Sequence, residues 1–464
     1  MTTRGHRLPI NVVWLGVGGV WCWWRIRALG DVRLHLAAFY GWFTLAFISY
    51  LAALWLIRRS EQAPCARRMM WSGLGVIGVV AVAARLCLLG TTPTLSDDIY
   101  RYRWDGRVQL AGIDPYAYPP DAPALASLRD ELSPRINFPH LRTVYPPLNE
   151  LAFRAGAMIG HGLTGQKIVF LCVELITIMS ILFILHRRKR SLWWIAAYAW
   201  HPLVILEIAG SGHNDALGVA LLWAGLAAYE PCRGQGEVPS PAGMGRGMRL
   251  RWFGVTLAWS GAFLSKFASA LLVPWWWFRR QGRGWLMICA VLSMLPLLAH
   301  PTMISALTES LSAMTVRFES NASLYLALVW IAHSAAFGRI MAVTLLAAFS
   351  LWWARRQDDP IAYLLGVFSA AALLSPVLHP WYVVWLIPCF CFYRVPALLA
   401  LSGTVVLAYT VWPGRLADGH WAIPLWAHGL EYAPVVLLGM WELHRCKWDS
   451  SFRFATKRLL SAKS

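Results

Sequence analysis

The chain has 464 residues, 58% of them hydrophobic and 14% charged, with a formal net charge of +19. An average soluble domain has roughly 45–50% apolar and about 25% charged residues, so this composition excludes an ordinary soluble globule. The positive charge argues for topology rather than nucleic acid: the basic residues stand in short clusters between apolar runs, and none lies on a stretch able to track a phosphate backbone.

A membrane-spanning helix needs about 20 apolar residues. In chain order, the run 10–24 lacks a small-residue cleavage site and reads as a retained first span. Runs at 34–57, 70–89, 168–185, 192–208, 285–300, 340–353 and 395–411 follow, with shorter ones at 216–229, 361–374, 381–393 and 433–443. The run 252–278 is too long for one span and reads as a tight helical hairpin, with Ser265 and Lys266 near its tip. Many of the 28 tryptophans sit near run ends, where an indole meets both lipid and water. The expected fold is therefore an all-α polytopic membrane protein with about 12–14 transmembrane helices. Residues 1–92 form the N-terminal transmembrane helices, 93–166 a large outer loop with interfacial helices, 167–443 the main bundle and 444–464 a basic cytoplasmic tail. The nine cysteines are scattered, with neither a disulfide framework nor a zinc spacing. Neither a metal nor a cofactor is expected.

Orientation follows from the basic loops. Arg58/Arg59/Arg67/Arg68, Arg187/Arg188/Lys189/Arg190, Arg246/Arg249/Arg251, Arg279/Arg280/Arg283, Arg355/Arg356 and the tail residues Arg445, Lys447, Arg453, Lys457 and Arg458 are expected on the cytoplasmic side. Residues 91–166 must then begin and end outside. The apolar stretch 148–162, which contains Arg154 and His161, cannot be a full span and reads as an interfacial or re-entrant helix. Every unusual polar cluster then falls on the outer face: Ser96–Asp98, Gly212–Asp215, residues 317–321, His379–Tyr382 and residues 418–420. The chain carries no evident internal repeat, which weakens a transporter reading.

The most informative stretch is Ser96-Asp97-Asp98-Ile99-Tyr100-Arg101-Tyr102-Arg103-Trp104-Asp105-Gly106-Arg107. Ser96 or Asp97 can cap a helix on which Asp98, Arg101, Tyr102 and Asp105 share one face. Tyr100, Trp104, Val108 and Ala111 form a separate strip, expected to face lipid while the acid–base strip faces a water-filled cleft. Gly112 ends the helix, and Pro-rich turns follow at 114–120 and 145–147. The carboxylates can simply pair with nearby arginines; alternatively, one of them takes a proton from a sugar hydroxyl.

The remaining motifs each have a structural and a chemical reading. In Gly212-His213-Asn214-Asp215 the glycine breaks a helix and Asn214 or Asp215 caps the next; alternatively, His213 donates to a phosphate or sugar beside a helix N-terminus. Lys266 snorkels to the headgroups, or supplies a point charge for a lipid phosphate. His379-Pro380-Trp381-Tyr382 is a proline-capped turn with interfacial aromatics, or a site where His379 and Tyr382 bond a phosphate and Trp381 stacks on a sugar or isoprenoid. Two carboxylates, Lys266, His213, His379 and Arg317 on one face suit the departure of a phosphate leaving group.

These motifs, together with Gly-Ile-Asp-Pro-Tyr, Val-Tyr-Pro-Pro-Leu, Leu-Ser-Lys-Phe and Ser-Pro-Val-Leu-His-Pro-Trp-Tyr, run in order from about residue 93 to 390. In that order the chain resembles the polyprenol-phosphomannose-dependent α-mannopyranosyltransferases of the GT-C superfamily, near glycosyltransferase family 87. The resemblance implies a GT-C-like bundle in the inner (plasma) membrane, with its active site facing the periplasm or exterior. It implies transfer of a hexose, mannose by this likeness, from a polyprenyl-phosphate donor to a lipid-linked or glycan acceptor of the cell envelope, with inversion. The base falls on Asp97 or Asp98, with Asp98 preferred for the face it shares. Donor-phosphate contacts fall to Lys266, His213, His379 and Arg317, and substrate contacts to Arg101, Tyr102, Asp105, Asp215, Trp381 and Tyr382. Two spans precede the one leading into the outer loop, where many GT-C enzymes have one. The alternatives are a secondary transporter or lipid flippase, or a GT-C enzyme using another polyprenyl-phosphate sugar.

Overall fold

The computed structural model describes residues 10–60, 67–160, 162–230, 245–279 and 283–448. His161, the linker 231–244, Arg280 and the tail residues Arg453, Lys457 and Arg458 lie outside the described residues. The chain is 78% helical, and no strand occurs among the described residues. It divides into two compact units, one of residues 1–269 and 284–317, the other of residues 270–283 and 318–464.

In the first unit, α1 (Ile10–Arg27) and α2 (Leu36–Ser60) pack as a hairpin. The buried face of α2 runs Phe39, Phe43, Ala46, Tyr50, Ala53, Ile57, alternating steps of four and three, which keeps one seam against its neighbours. Its other face leaves Leu45, Ile48 and Trp55 exposed. The same holds for α3 (Arg67–Leu89), with Val79, Val82 and Leu86 exposed, and for α6 (Thr164–Arg187), with Leu175, Ile176, Met179 and Phe183 exposed. Ridges of this kind suit a lipid solvent, in which an apolar outer face carries no penalty.

Between α3 and α6 lies a bidentate ion pair, with Arg85 Nε 2.8 Å from Glu174 Oε2 and Arg85 Nη2 2.5 Å from Glu174 Oε1. Arg85 Nη1 also donates to the carbonyl of Ala199 at 2.8 Å. That carbonyl sits at the break of the pair Leu192–Ala199 and Pro202–Gly210, bent by 53° at His201-Pro202. This segment contains two short helices, α7 (Ala196–Ala199) and α8 (Pro202–Val204), and a wide π-turn over Ile205–Gly210. The Tyr50 hydroxyl donates to Ala197 O at 2.9 Å and the Trp200 indole to Ile77 O at 2.8 Å, so α2 and α3 both hold the break.

Helices α9 (Asp215–Tyr229) and α10 (Arg246–Ser265) pack side by side, with α9 also against α6. Lys167, at the start of α6, donates through Nζ to Leu88 O at 3.1 Å and Thr91 O at 2.6 Å, satisfying carbonyls that the end of α3 leaves open. The loop between them thus leaves and returns at one end of the unit. At the other end Arg188 grips Glu230 at 2.8 and 2.9 Å, joining the ends of α6 and α9 near the start of α10.

Over the first end lie α4 (Asp98–Leu110) and α5 (Pro147–Ile159). At 13 residues and 1.5 Å per residue, α5 is only about 20 Å long, short of a bilayer core. The strip Tyr100, Trp104 and Val108 of α4, expected toward lipid, is instead buried in protein, and Ala111 alone of the four is exposed. Burial comes from both sides: α5 and α6 pack against α4, and the loop after it folds back with Leu125 and Ile136 inside. The α4–α5 contact is so close that a β-carbon on Gly106 would lie 2.3 Å from the Phe153 carbonyl oxygen.

Five helices are long and apolar enough to cross a membrane, or six counting the bent pair as one span, among the described residues. Four shorter apolar helices accompany them. This is fewer than the expected count of about 12–14, because several apolar runs are interrupted. Pro296 lies inside the helix Arg283–Ala299, and α10 stops at Ser265, with Lys266 extended at φ −155°, ψ 125°. A break near Ser265 and Lys266 is thus present, but only the short segments Phe267–Leu272 and Val273–Trp277 follow it, so the tight hairpin expected over 252–278 does not form.

The second unit carries the helices Leu324–Ala332, Ala335–Arg356, Pro360–Leu374 and Leu425–Trp448, with the apolar segment Pro396–Ala417. A short parallel bridge ties Ser320 to Val377, and Asn321, at φ +54°, donates through Nδ2 to Leu378 O at 3.1 Å and Glu431 Oε1 at 2.8 Å.

Gly106→Ala is expected to destabilise the protein by about 1–3 kcal/mol, because the obstacle is backbone and cannot rotate away. Gly78→Ala, with nothing within 4 Å of its built β-carbon, is expected to be neutral or to stabilise by up to about 1 kcal/mol. Thermal unfolding of both variants in one detergent checks the contrast.

Candidate active site

The site begins where α4 starts. The Ser96 hydroxyl accepts the Asp98 amide N–H at 3.3 Å, while Asp97 makes no side-chain cap. Asp97 instead accepts from Arg135 Nη2 at 2.7 Å, and that guanidinium lies 4.2 Å over the Tyr100 ring. Of the two adjacent acids, Asp97 is therefore the one held by an arginine. Asp98 accepts a hydrogen bond from Asn137 Nδ2 at 3.3 Å and lies 3.9 Å from His213 Nδ1, with 26% of its side chain exposed. Burial pushes its carboxyl up to about 6, helped by the charges of Asp215 and Asp97 and opposed by the Asn137 bond and the Lys266 ammonium. A carboxylate in that range takes a proton near neutral pH more readily than an ordinary aspartate.

His213 arrives on the loop that leaves the π-turn. Gly212 adopts φ +73°, a conformation that favours glycine, and turns the chain back beneath α4. His213 is 1% exposed, and its Nε2 lies 3.4 Å from Glu207 Oε2. Asn214 is the N-cap of α9 but makes no side-chain cap bond; its Oδ1 accepts from the Tyr102 hydroxyl at 3.3 Å. Asp215 bonds Lys266 Nζ through Oδ1 at 2.6 Å. The capping expected of Asn214 or Asp215 gives way to contacts across helices.

Lys266 stands where α10 ends, and the end is fixed by Asn149 of α5, whose Nδ2 donates to Ser265 O at 2.6 Å. Its side chain is 28% exposed, whereas its partner Asp215 is fully buried. Lys266 therefore presents positive charge at the surface from a buried anionic anchor.

Arg101 and Asp105 do share a face of α4, and they pair with each other: Arg101 Nε lies 2.9 Å from both Asp105 oxygens. Both are buried, in a network where Glu150 accepts from Thr143 Oγ1 at 2.7 Å and Gln109 Nε2 at 2.9 Å. Burial pushes the carboxyls of Asp105 and Glu150 up. Tyr102 stacks on Phe153 at 4.5 Å and is buried.

Asp98, Tyr102, His213, Asp215 and Lys266 thus meet in the first unit, with Asp97 beside them. Arg317 ends the helix Pro301–Arg317 of the same unit, and its side chain is outside the described positions. His379, Trp381 and Tyr382 belong to the second unit. There the His379 ring stacks on Trp381 at 4.3 Å and 14°, with Tyr382 at 5.4 Å and Phe318 at 5.9 Å. Among the described residues no group of three or more His, Cys, Asp or Glu side chains is placed to hold a metal ion.

Sequence reading missed Glu207, Asn137 and Asn149. Glu207 carried a signal, an isolated acid inside the apolar run 192–208, which is costly unless used. Asn137 and Asn149 had none, since each acts from a turn or helix start whose partners are remote in sequence.

Over 357 residues the chain is 22% identical to a protein of Mycolicibacterium smegmatis (strain ATCC 700084 / mc(2)155) named "Probable alpha-(1->6)-mannopyranosyltransferase/". The alignment covers 65% of this chain and 62% of that protein. This chain therefore spans 62% of the length of the curated relative it matches. No family model and no solved structure matches the chain.

Proposed function

We propose that the protein is a membrane glycosyltransferase that moves a hexose, mannose by its likeness to the mycobacterial relative, from a polyprenyl-phosphate donor to an acceptor hydroxyl of the cell envelope. The observation that carries this reading is Asp98: a partly exposed carboxylate raised to about 6, with His213 and the Lys266–Asp215 pair beside it. The relative's name supports sugar transfer, and the exposed apolar ridges of α2, α3 and α6 support a bilayer. Lys167 and Arg188 mark opposite ends of α6, with the acids at one and the basic cluster at the other. That separation supports a site on the non-cytoplasmic side of the inner membrane.

The chemistry is a single displacement. The acceptor oxygen attacks the anomeric carbon while Asp98 takes its proton. The bond from that carbon to the phosphate oxygen breaks, and the electron pair leaves with the phosphate. The anomeric centre inverts. Lys266 faces the charge that gathers on the departing phosphate, and His213 stands buried behind the base, 3.9 Å from Asp98. Asp97, held by Arg135, is the weaker choice as base.

Purified protein given labelled polyprenyl-phosphate mannose is expected to form a glycosylated product. Asp98→Asn should lower kcat by about 10²–10⁴-fold, and Asp97→Asn by far less. Transfer at the native rate by Asp98→Asn would overturn the assignment. Because the base works ionised, kcat/KM should fall as pH drops through about 6.

Stability should move the other way. The folded carboxyl holds its proton up to about 6, the unfolded one only to 3.8, so the folded state loses stability as pH rises between those values. Asp98→Asn should therefore stabilise the protein at pH 7 by up to about 3 kcal/mol, and by almost nothing at pH 3. Melting curves of both proteins across that range measure the difference.

A further inference from the structure

Glu207 is fully buried, and the chemistry above gives it no part. It lies on the π-turn Ile205–Gly210, where the Ser211 N–H reaches back five residues to Leu206 O at 2.8 Å. The His213 N–H returns to the carbonyl of Glu207 itself at 2.9 Å. Wide turns of this kind recur at functional sites, because they re-aim side chains that a regular helix would send elsewhere. Gly212 completes the return; a β-carbon there would stand 2.7 Å from Ile99 Cδ1 and 3.1 Å from Lys167 Cγ, so the loop is pressed against α4 and α6. The outcome is one imidazole between two carboxylates, Nε2 at 3.4 Å from Glu207 and Nδ1 at 3.9 Å from Asp98.

Among the described residues, three elements packed about this loop bring charged groups to it. Glu207 comes from the π-turn, Asp98 from α4, and Lys167 from α6. The Lys167 ammonium is directed to the carbonyls of Leu88 and Thr91. Farther out, Lys266 is matched by Asp215. Among the described residues, the charged groups whose distances to the ring are 3.4 and 3.9 Å are both carboxylates. A buried carboxylate is costly unless an opposite charge or a donor meets it, and an imidazole flanked by carboxylates is favoured with both nitrogens protonated.

We propose that Glu207 is a positioning residue for the base, holding His213 as an imidazolium whose Nδ1 side stabilises the ionised Asp98 carboxylate. The Glu207 charge then acts on the reaction without touching substrate. It fixes the ring, keeps it charged, and so keeps Asp98 ready to accept a proton. The inference rests on Asp98 being the base, but its test does not need sugar transfer.

The test reads Asp98 through stability. Melting temperatures of the wild type and Asp98→Asn are compared across pH 4 to 9, and the gain from Asp98→Asn levels off where folded Asp98 finishes ionising. The same comparison is then made in a Glu207→Gln background. The levelling pH is expected to rise by about one unit or more, a tenfold increase in proton affinity, and to return in Glu207→Asp, which keeps the charge. An unchanged levelling pH in Glu207→Gln overturns the proposal. If Glu207→Gln does not fold, the pair of melts is repeated in a His213→Gln background: an upward shift supports the imidazolium, and no shift overturns it. A shift in a protein that transfers no sugar would support the linkage while removing Asp98's role as base.

Discussion

A lysine ammonium held 2.6 Å from a fully buried aspartate, at the point where one helix ends and another begins, is the contact on which the site depends. Asp215 is the first residue of α9 and Lys266 follows the last residue of α10. A negative side chain at a helix start and a positive one at a helix end each complement the helix dipole, so the pair is favourable for both helices. Removing Lys266 leaves the fully buried Asp215 without its mate, which costs about 3–5 kcal/mol. Asn149 closes the arrangement by bonding the carbonyl just before Lys266, which ties α5, and through it α4 with Asp98, to the same junction.

The surroundings divide the acids by task. Asp97 faces Arg135, Asp105 faces Arg101, and Asp215 faces Lys266. Among the described residues Asp98 has no such partner at hydrogen-bond distance, and it is the carboxyl in this group raised to about 6 while still partly exposed. Four aspartates within one small region thus meet four different surroundings, as in enzymes whose paired carboxyls take different roles.

Much of this was legible in the sequence. Polar residues stranded between apolar runs pointed to Asp98, His213, Asp215 and Lys266, because burying such groups in a membrane protein is costly without a purpose. The sharing of a face by Arg101 and Asp105 followed from helical spacing, and their ion pair realises it. The burial of α4 was not legible. A 13-residue amphipathic helix reads the same whether its apolar strip meets lipid or the folded-back loop that carries Leu125 and Ile136. Helix counting was hampered for a related reason: hydropathy measures apolar length, whereas His201-Pro202 and Lys266 interrupt runs without making them less apolar. Glu207 escaped because a π-turn, invisible to the ordinary helical period, brings it to His213.

The Arg85–Glu174 pair also constrains how the protein is made. The two residues are 89 positions apart in the chain, so α3 enters the bilayer before its counter-charge has been synthesised. At about 5–20 residues per second, the arginine waits roughly 5 to 20 seconds for Glu174. Arg85 lies four residues from the last residue of α3, close enough for its long side chain to reach the headgroups during that interval. The arrival of α6 then draws it inward onto Glu174 and the Ala199 carbonyl. Assembly of the first unit is in this way coupled to the order of translation, with the third helix completed only after the sixth emerges.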